Sequence, residues 1–146
     1  MTGKDLREKV ARRAEHYIPD MVRFLRDMIA IPSESGGEAA VIARIRDELT
    51  RLQFDEVKVD GLGNILARMG EGPAVVVFDG HVDTVGVGDR STWSRDPYLG
   101  ELADGIIYGR GASDQEGGLA AAEHGVRLPL RHCLESGEGH VEAGHG

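Results

Sequence analysis

His81, which could bind a metal ion, and Asp83, which could orient its ring, follow an apolar run of the sequence. Residues 74–78 read Ala-Val-Val-Val-Phe, and this run predicts a strand that is covered on both faces. Ligands in open α/β sheets sit beyond the carboxyl ends of strands, so His81 emerges where a site is expected. Residues i and i+2 of an extended chain point to the same side, so Asp83 can accept an imidazole N–H and orient the ring. The alternative is that His81 caps a turn and Asp83 begins a loop.

A second cluster surrounds Asp114. Residues 108–119 read Tyr-Gly-Arg-Gly-Ala-Ser-Asp-Gln-Glu-Gly-Gly-Leu and place this carboxylate between two pairs of glycines. The glycines would let the backbone pass close to a bound group. Asp114 stands where the dinucleotide pattern G-x-G-x-x-G needs its third glycine, and the sequence has no Gly-Lys-Ser/Thr of a P-loop. A cation therefore fits the segment better than an anion does, and the alternative is a mobile turn.

Taken together, the motifs occur in a characteristic order. The first motif is His81-Val-Asp83-Thr-Val, and the second consists of Trp93 with Asp96-Pro97. The third is Asp104-Gly-Ile-Ile-Tyr-Gly-Arg-Gly, which is followed by Asp114 and then by two adjacent glycines. This order strongly resembles the M20 family of zinc-dependent peptidases and amidohydrolases. Residues 31–35, Ile-Pro-Ser-Glu-Ser, are similar to the first loop of that family. The resemblance covers about residues 5–122, and Ser-Asp-Gln-Glu-Gly-Gly most resembles the selenium-metabolism-linked subgroup.

The resemblance implies a site and an activity. It implies that His81 binds one zinc ion, that Asp114 bridges two, and that Asp83 positions His81; cobalt or manganese could replace zinc. The peptide bond after the bridging Asp is often cis in the family. Two zinc ions polarise a carbonyl and lower the pKa of a shared water toward ~7, and a Glu accepts its proton. The implied substrate is a small peptide or an N-acyl amino acid, of which an amide bond is hydrolysed.

The sequence departs from the family after Asp114. Family members carry a Glu-Glu pair there, then an Asp or Glu ligand and a last His ligand, whereas this sequence contains no Glu-Glu. Candidate replacements are Glu116, Glu123, Glu135 and Glu138, with His124, His132, His140 and His145. The alternatives to a catalytic chain are a non-catalytic remnant that binds metal weakly, or an assembly with a second chain that supplies the missing residues.

Helices and hairpins must position these motifs. Apolar residues at helical spacing predict helices over 6–28, with a kink or a second start at Pro19, over 42–52 and from Ala120. Alternating apolar residues and turn residues predict a hairpin of 57–59 with 65–69 and a short hairpin at Asp104-Gly105. This order predicts an α/β fold with helices on a sheet, in which the hairpin strands flank residues 75–78. By resemblance it is a three-layer αβα zinc-peptidase-like domain. Residues 1–122 form its N-terminal portion, with an incomplete sheet, and 123–146 an irregular tail from a frameshifted or truncated reading frame.

The composition and charge of the chain indicate which kinds of partner we expect. The chain has 146 residues, one domain or a piece of one, and a net charge of −8, which argues against nucleic-acid binding because phosphates would be repelled. Its single cysteine, Cys133, can form neither an internal disulfide nor a zinc cage. No apolar run approaches the ~18 residues of a membrane span, so we expect a cytoplasmic protein without a membrane partner. We also expect self-association through an open sheet edge, and a structural pairing of Arg110 with an acid such as Asp104.

Overall fold

Three helices and two short hairpins make up the chain. In the computed structural model, residues 3–135 are described. The elements are α1 (Gly3–Ile29), α2 (Ala39–Arg51), β1 (Glu56–Val59), β2 (Ile65–Arg68), a 3-10 turn (Arg90–Thr92), β3 (Glu101–Ala103), β4 (Ile106–Tyr108) and α3 (Glu116–Glu135). This confirms a small α/β arrangement. The three-layer organisation stays a prediction, because the described strands form two separate two-stranded sheets.

One apolar core joins the helices. Phe24 and Met28 of α1 and Val41 and Ile45 of α2 are fully buried, and Ala120 of α3 belongs to the same cluster. The spacing of four places each pair on one helix face. Burial of a side chain as large as Phe24 contributes roughly 1.5–3 kcal/mol relative to exposure. The β1–β2 hairpin packs against this cluster, so the predicted packing of α2 on the hairpin is confirmed.

Helix α1 is a single helix that contains Pro19. The predicted second helix start at this residue is therefore wrong. Proline removes one N–H from the helical ladder, but Phe24, Met28 and Ile29 beyond it are buried in the core. Burial of these residues keeps the second half of the helix in place.

Both predicted hairpins are confirmed. Strand β1 pairs antiparallel with β2, and β3 pairs antiparallel with β4. In the first turn the Asp60 carboxylate accepts the backbone N–H groups of Leu62 and Asn64 at 2.8 and 2.9 Å. In the second turn Asp104 and Gly105 have φ values of 52° and 78°, the left-handed pair that a two-residue hairpin turn favours.

The predicted central strand at 74–78 is wrong. These residues have no strand pairing, and Val75, Val76 and Val77 are each 80% exposed. The predicted neighbours, β1 and β2, pair with each other instead. A buried parallel strand needs partner strands and helices on both faces, and the described part of the chain places none against this run. The run is an exposed apolar segment, and its self-association stays a prediction.

Helix α3 is longer than the sequence predicts. It begins at Glu116 and continues to Glu135, so residues 123–135, which we expected to be irregular, are helical. Residues 136–146, with Glu138, His140 and His145, lie outside the described residues. The expected change of reading frame and the boundary at residue 122 stay predictions. None of the described helices is long and apolar enough to cross a membrane.

Candidate metal centre

The loop that carries His81 is attached to the loop that follows α1. The Thr84 N–H donates to the Ser33 carbonyl at 2.8 Å, and the Ser33 hydroxyl donates to the Val82 carbonyl at 3.0 Å. Ser33 is fully buried and Thr84 nearly so. Sequence reasoning matched residues 31–35 to a family loop but gave Ser33 no function. In the structure, this serine holds the backbone on one side of His81.

The His81 ring is oriented by Asp83 in two ways. Nδ1 lies 3.0 Å from the Asp83 backbone carbonyl and 3.3 Å from its carboxylate oxygen Oδ1. The Ser35 hydroxyl donates to the other carboxylate oxygen, Oδ2, at 2.6 Å. A proton on Nδ1 leaves the Nε2 lone pair free for a metal ion. The structure therefore adds a carbonyl acceptor to the predicted carboxylate.

Asp114 lies opposite the free nitrogen of His81. The distance from His81 Nε2 to Asp114 Oδ1 is 3.0 Å, although the two residues are 33 positions apart. Zinc–nitrogen and zinc–oxygen bonds are about 2.0–2.2 Å, so one ion between the two side chains can reach both. The side chains are 44% and 88% exposed, which leaves the pair accessible. The Asp114–Gln115 peptide bond is cis, as the resemblance implies.

Charges around the pair favour binding of a cation. The hydrogen bond to the Asp83 carbonyl, followed by the contact with Asp114, raises the pKa of His81 above its ordinary value. The hydrogen bond from Ser35 lowers the pKa of Asp83, with a smaller contribution from His81. Asp83 is therefore ionised near neutral pH. The pair offers one imidazole nitrogen and one carboxylate with a second carboxylate next to it, a donor set that suits a divalent metal ion.

Glu116 is buried directly behind this site. A Cβ atom on Gly111 would lie 2.7 Å from the Glu116 carboxyl carbon and 2.9 Å from Thr84 Cγ2, so the Glu116 carboxyl packs against Gly111. Burial raises its pKa to about 7, and its Oε2 atom has no hydrogen-bond partner among the described residues. Gly111 has a φ of 83° and must therefore be glycine for two reasons, its backbone conformation and the space available.

The candidate ligands lie in a pocket of about 230 Å³. The residues that line it include Ser35, His81, Asp83, Arg110, Ser113 and Asp114. A second pocket of about 330 Å³, lined by Trp93, Arg95 and Tyr108, shares Gly109 and Ser113 with it. Such a pocket admits a small molecule beside the two ligands.

The structure does not bring a third metal ligand to the pair. Among the side chains that the structure describes, which end at residue 126, no group of three or more His, Cys, Asp or Glu residues is placed to hold an ion. His124 packs against Phe24 with a ring-centre distance of 5.8 Å, and its Nε2 atom lies 3.4 Å from Glu48. Glu123 is buried beside Glu48 and Arg44. These two candidates therefore belong to the helix interface, and the backbone of His132 and Glu135 lies in α3.

Comparison with known proteins gives consistent matches. Residues 77–132 match the profile of peptidase family M20/M25/M40. The uncharacterized protein YgeY of Escherichia coli strain K12 is 50% identical over 119 residues, which are 82% of this chain and 30% of that protein. The succinyl-diaminopimelate desuccinylase of Rhodospirillum centenum is 38% identical over 110 residues, which are 70% of this chain and 28% of that protein. The desuccinylase of Rhodopseudomonas palustris is 38% identical over 122 residues, which are 79% of this chain and 32% of that protein. The chain spans about 30% of the length of these relatives.

Proposed function

Because the chain belongs to the M20/M25/M40 peptidase family and matches its N-terminal part, we propose that it carries part of the metal site of an amide hydrolase. The proposed substrates are small peptides or N-acyl amino acids. The desuccinylase names of two relatives support this substrate class, since removal of a succinyl group from diaminopimelate is amide cleavage. The distance of 3.0 Å between His81 Nε2 and Asp114 Oδ1 carries the proposal.

In this proposal His81 and Asp114 hold zinc, and Asp83 positions His81. The imidazole and carboxylate donors fit zinc, and cobalt or manganese accept the same atoms. A bound ion of this kind supplies a polarised substrate carbonyl and a water of lowered pKa. Asp114 has two carboxylate oxygens and an exposed side chain, so it can contact two ions. Asp83 keeps the Nδ1 proton in place, which directs Nε2 toward the ligand position.

The chain alone should hydrolyse amides poorly. A catalytic zinc needs about three protein ligands, and the described residues bring two together. The carboxylates that line the pocket are Asp83 and Asp114, both of which have other roles in this proposal. Glu116 lies behind Gly111 and would need to move to accept a proton from water in the pocket. We propose that further polypeptide, in the same chain or a second one, completes the site.

The second candidate function is a remnant that binds metal weakly and does not catalyse. The absence of a third ligand near His81 in the described part of the chain favours this candidate. The two candidates differ in one respect: added polypeptide would produce amide hydrolysis in the first candidate but not in the remnant.

An activity assay of the chain alone can refute the remnant, and the same assay after addition of the remaining polypeptide separates the two candidates. Purified chain with zinc or cobalt is assayed on N-acetyl amino acids, N-succinyl amino acids and dipeptides, with His81→Ala, Asp114→Ala and the exposed-surface control His16→Ala. We expect turnover close to background. Metal-dependent turnover that both site variants abolish, and His16→Ala does not, would refute the remnant. Metal-dependent turnover that persists in both site variants would overturn the assignment of the site.

A further inference from the structure

Three Asp-Gly dipeptides occur in the sequence, at residues 60–61, 79–80 and 104–105. Glycine has no Cβ atom, so its backbone nitrogen can closely approach the side chain of the aspartate before it. Each dipeptide is therefore a candidate for the same reaction, in which this nitrogen attacks the aspartate side chain. The three dipeptides can be compared by how the structure holds them.

The reaction exchanges one peptide linkage for another. The glycine nitrogen bonds to the aspartate Cγ atom, and the side-chain hydroxyl leaves as water with the proton of the nitrogen, which closes a five-membered succinimide ring. Water then adds to the former backbone carbonyl and breaks its bond to the nitrogen. In the product, an isoaspartate, the chain continues through Cγ and the α-carboxylate is free. The product has the same atoms and the same mass as the original residue.

Hydrogen bonds protect the first dipeptide. The Asp60 carboxylate accepts the backbone N–H groups of Leu62 and Asn64 at 2.8 and 2.9 Å, and Asn64 Nδ2 donates to it at 3.0 Å. The hydrogen bond from the Asn64 side chain, followed by that from the Leu62 N–H, lowers the pKa of Asp60. An ionised carboxyl has no hydroxyl to lose as water. Ring closure at Asp60 therefore requires both a proton and the loss of these hydrogen bonds.

Strand pairing constrains the third dipeptide. Asp104 and Gly105 form the tight turn between β3 and β4, with φ values of 52° and 78°. Ring closure requires rotation of the backbone between the two residues, which the paired strands oppose. Among the described residues, Asp104 does not form the ion pair with Arg110 that the sequence predicts, and Arg110 lies over the Trp93 ring instead. Isomerisation at Asp104 should therefore wait for opening of the hairpin.

The second dipeptide has neither kind of protection. Asp79 and Gly80 are exposed and lie outside every helix and strand that the structure describes. Within the described part of the chain, the Asp79 carboxylate has no hydrogen bond or ion pair, and the Gly80 N–H has no acceptor. Residues 74–78 before them have no strand pairing that would oppose rotation of the backbone.

We infer that Asp79 is a site of spontaneous isoaspartate formation in the folded chain, and that the fold protects Asp60 and Asp104 from the same modification. The nucleophile is the Gly80 backbone nitrogen, and water is the only other reactant. The inference is independent of the proposed function.

The fold can accept the modified residue. Isoaspartate at position 79 adds one atom to the backbone two residues before His81. The contacts of Ser33 with Val82 and Thr84 hold the chain after His81. The longer backbone can therefore be accommodated in the unpaired residues before Asp79, so the native contacts of the loop do not oppose the reaction.

Timed incubation of the purified chain tests the inference. The folded chain is kept at neutral pH, and samples are digested with endoproteinase Asp-N, which cleaves before aspartate but not before isoaspartate. Mass spectrometry with electron-transfer fragmentation measures isoaspartate at residues 60, 79 and 104. The same incubation in urea gives the three rates without the fold. All three dipeptides are in one chain, so this comparison needs no variant.

We expect isoaspartate to form at Asp79 about tenfold faster or more than at Asp60 and Asp104, since each of these must first lose hydrogen bonds of its turn or hairpin. In urea the three rates should become similar. Equal rates in the folded chain, or slower formation at Asp79, would overturn the inference. The same preference for Asp79 in urea would also overturn it, because the fold would then not be its cause.

Substitution of the glycine tests the nucleophile. Gly80→Ala places a Cβ atom beside the attacking nitrogen, and this atom would lie 3.4 Å from Gln115 Oε1, an ordinary contact. The rate at Asp79 should fall severalfold, whereas the matched control Gly61→Ala, which has open space, should leave it unchanged. Circular dichroism checks that both variants fold. An unchanged rate at Asp79 in folded Gly80→Ala would overturn the inference.

Discussion

Ser33 and Thr84 connect two loops that are far apart in the sequence. The Ser33 carbonyl accepts the Thr84 N–H at 2.8 Å, and the two hydroxyl oxygens are 3.4 Å apart in a buried position. Thr84 comes three residues after His81 and packs near Gly111, three residues before Asp114. The contact therefore joins the loop after α1 to both parts of the candidate site.

Replacement of Ser33 should weaken this connection. Ser33→Ala removes the donor to the part-buried Val82 carbonyl, and loss of such a hydrogen bond costs about 0.5–1.5 kcal/mol of unfolding free energy. Zinc affinity should fall with it, because the backbone beside His81 becomes less fixed. Urea unfolding and zinc titration measure the two effects. The exposed control Ser94→Ala should change stability by less than about 0.5 kcal/mol; an equal effect of both variants would argue against a structural role of Ser33.

Gly111 should tolerate no side chain. Gly111→Ala combines a φ of 83° with contacts of 2.7 Å to the Glu116 carboxyl and 2.9 Å to Thr84. The left-handed conformation costs about 1–2 kcal/mol, and overpacking adds about 1–3 kcal/mol. Two controls separate these contributions in urea unfolding. Gly36→Ala has a φ of 87° but open space, and Gly61→Ala has open space without a positive φ. A loss no larger than that of Gly36→Ala would show that the close contacts with Glu116 and Thr84 are unimportant.

Glu123 should make stability depend on pH. Burial, with a smaller contribution from the Glu48 carboxylate, raises its pKa to about 8, while Arg44 opposes the shift. Burial alone would raise the pKa of Glu48, but hydrogen bonds from Arg51 and Arg44 outweigh burial and keep Glu48 ionised. Folded Glu123 holds its proton between its ordinary value of 4.5 and about 8, whereas the unfolded chain releases it. Stability should therefore fall as pH rises through this range.

His124 acts in the opposite direction at lower pH. Burial lowers its pKa below the ordinary value of 6.5, although Ala120, Glu48 and Asp20 oppose the shift. The unfolded chain therefore binds a proton first as pH falls, and stability decreases below about this value. His124 therefore does not contribute to the loss above pH 7, which Glu123 shares with Glu116, whose pKa burial raises to about 7, and with His81, whose pKa is raised above its ordinary value.

A single isosteric substitution tests the pH dependence of stability above pH 7. Glu123→Gln should reduce the pH dependence between pH 7 and 8, since one group of this kind lowers the free energy of unfolding by up to about 1.4 kcal/mol per pH unit. The measurement is urea unfolding at several pH values. The exposed control Glu15→Gln should keep the wild-type slope. An unchanged slope in Glu123→Gln would show that Glu123 is not protonated in the folded protein.

The exposed run at residues 75–78 should promote self-association. Val75, Val76 and Val77 are 80% exposed and Phe78 is 65% exposed, and the run has high strand propensity and no charge. Light scattering should show a mass that rises with concentration. Val76→Lys should reduce this rise, and Leu62→Lys, at a 90% exposed turn position, should not. A concentration-independent monomer mass would contradict the expectation.

Sequence predicted the features that depend on local signals. The turns at 60–64 and 104–105 carry their own signals, and both hairpins are confirmed. The strand at 75–78 was wrong because a strand needs pairing partners that composition does not reveal. Gly125 and Pro129 are poor helix formers, so local propensity hid the extension of α3. Tertiary contacts of His124 with Phe24 and Glu48 accompany that extension.

The candidate site followed from the order of motifs. The residue pattern singles out His81, Asp83 and Asp114, the resemblance implies their roles, and the structure brings the three residues together. Ser33 was missed as a site residue for a physical reason. The importance of Ser33 depends on a contact across the fold, which a linear pattern does not contain.

The central claim is that His81 and Asp114 bind one metal ion together. Zinc titration by calorimetry, repeated with cobalt absorption, tests it in a background where the other candidate ligands His132, His140 and His145 are alanine. We predict that zinc binds weakly and that His81→Ala and Asp114→Ala each lower the affinity at least tenfold. Asp83→Asn should lower the affinity about 10–100-fold, because the His81 ring is no longer held in place. His16→Ala should leave the affinity unchanged. Zinc affinity that is the same in His81→Ala, Asp114→Ala and His16→Ala would contradict the account.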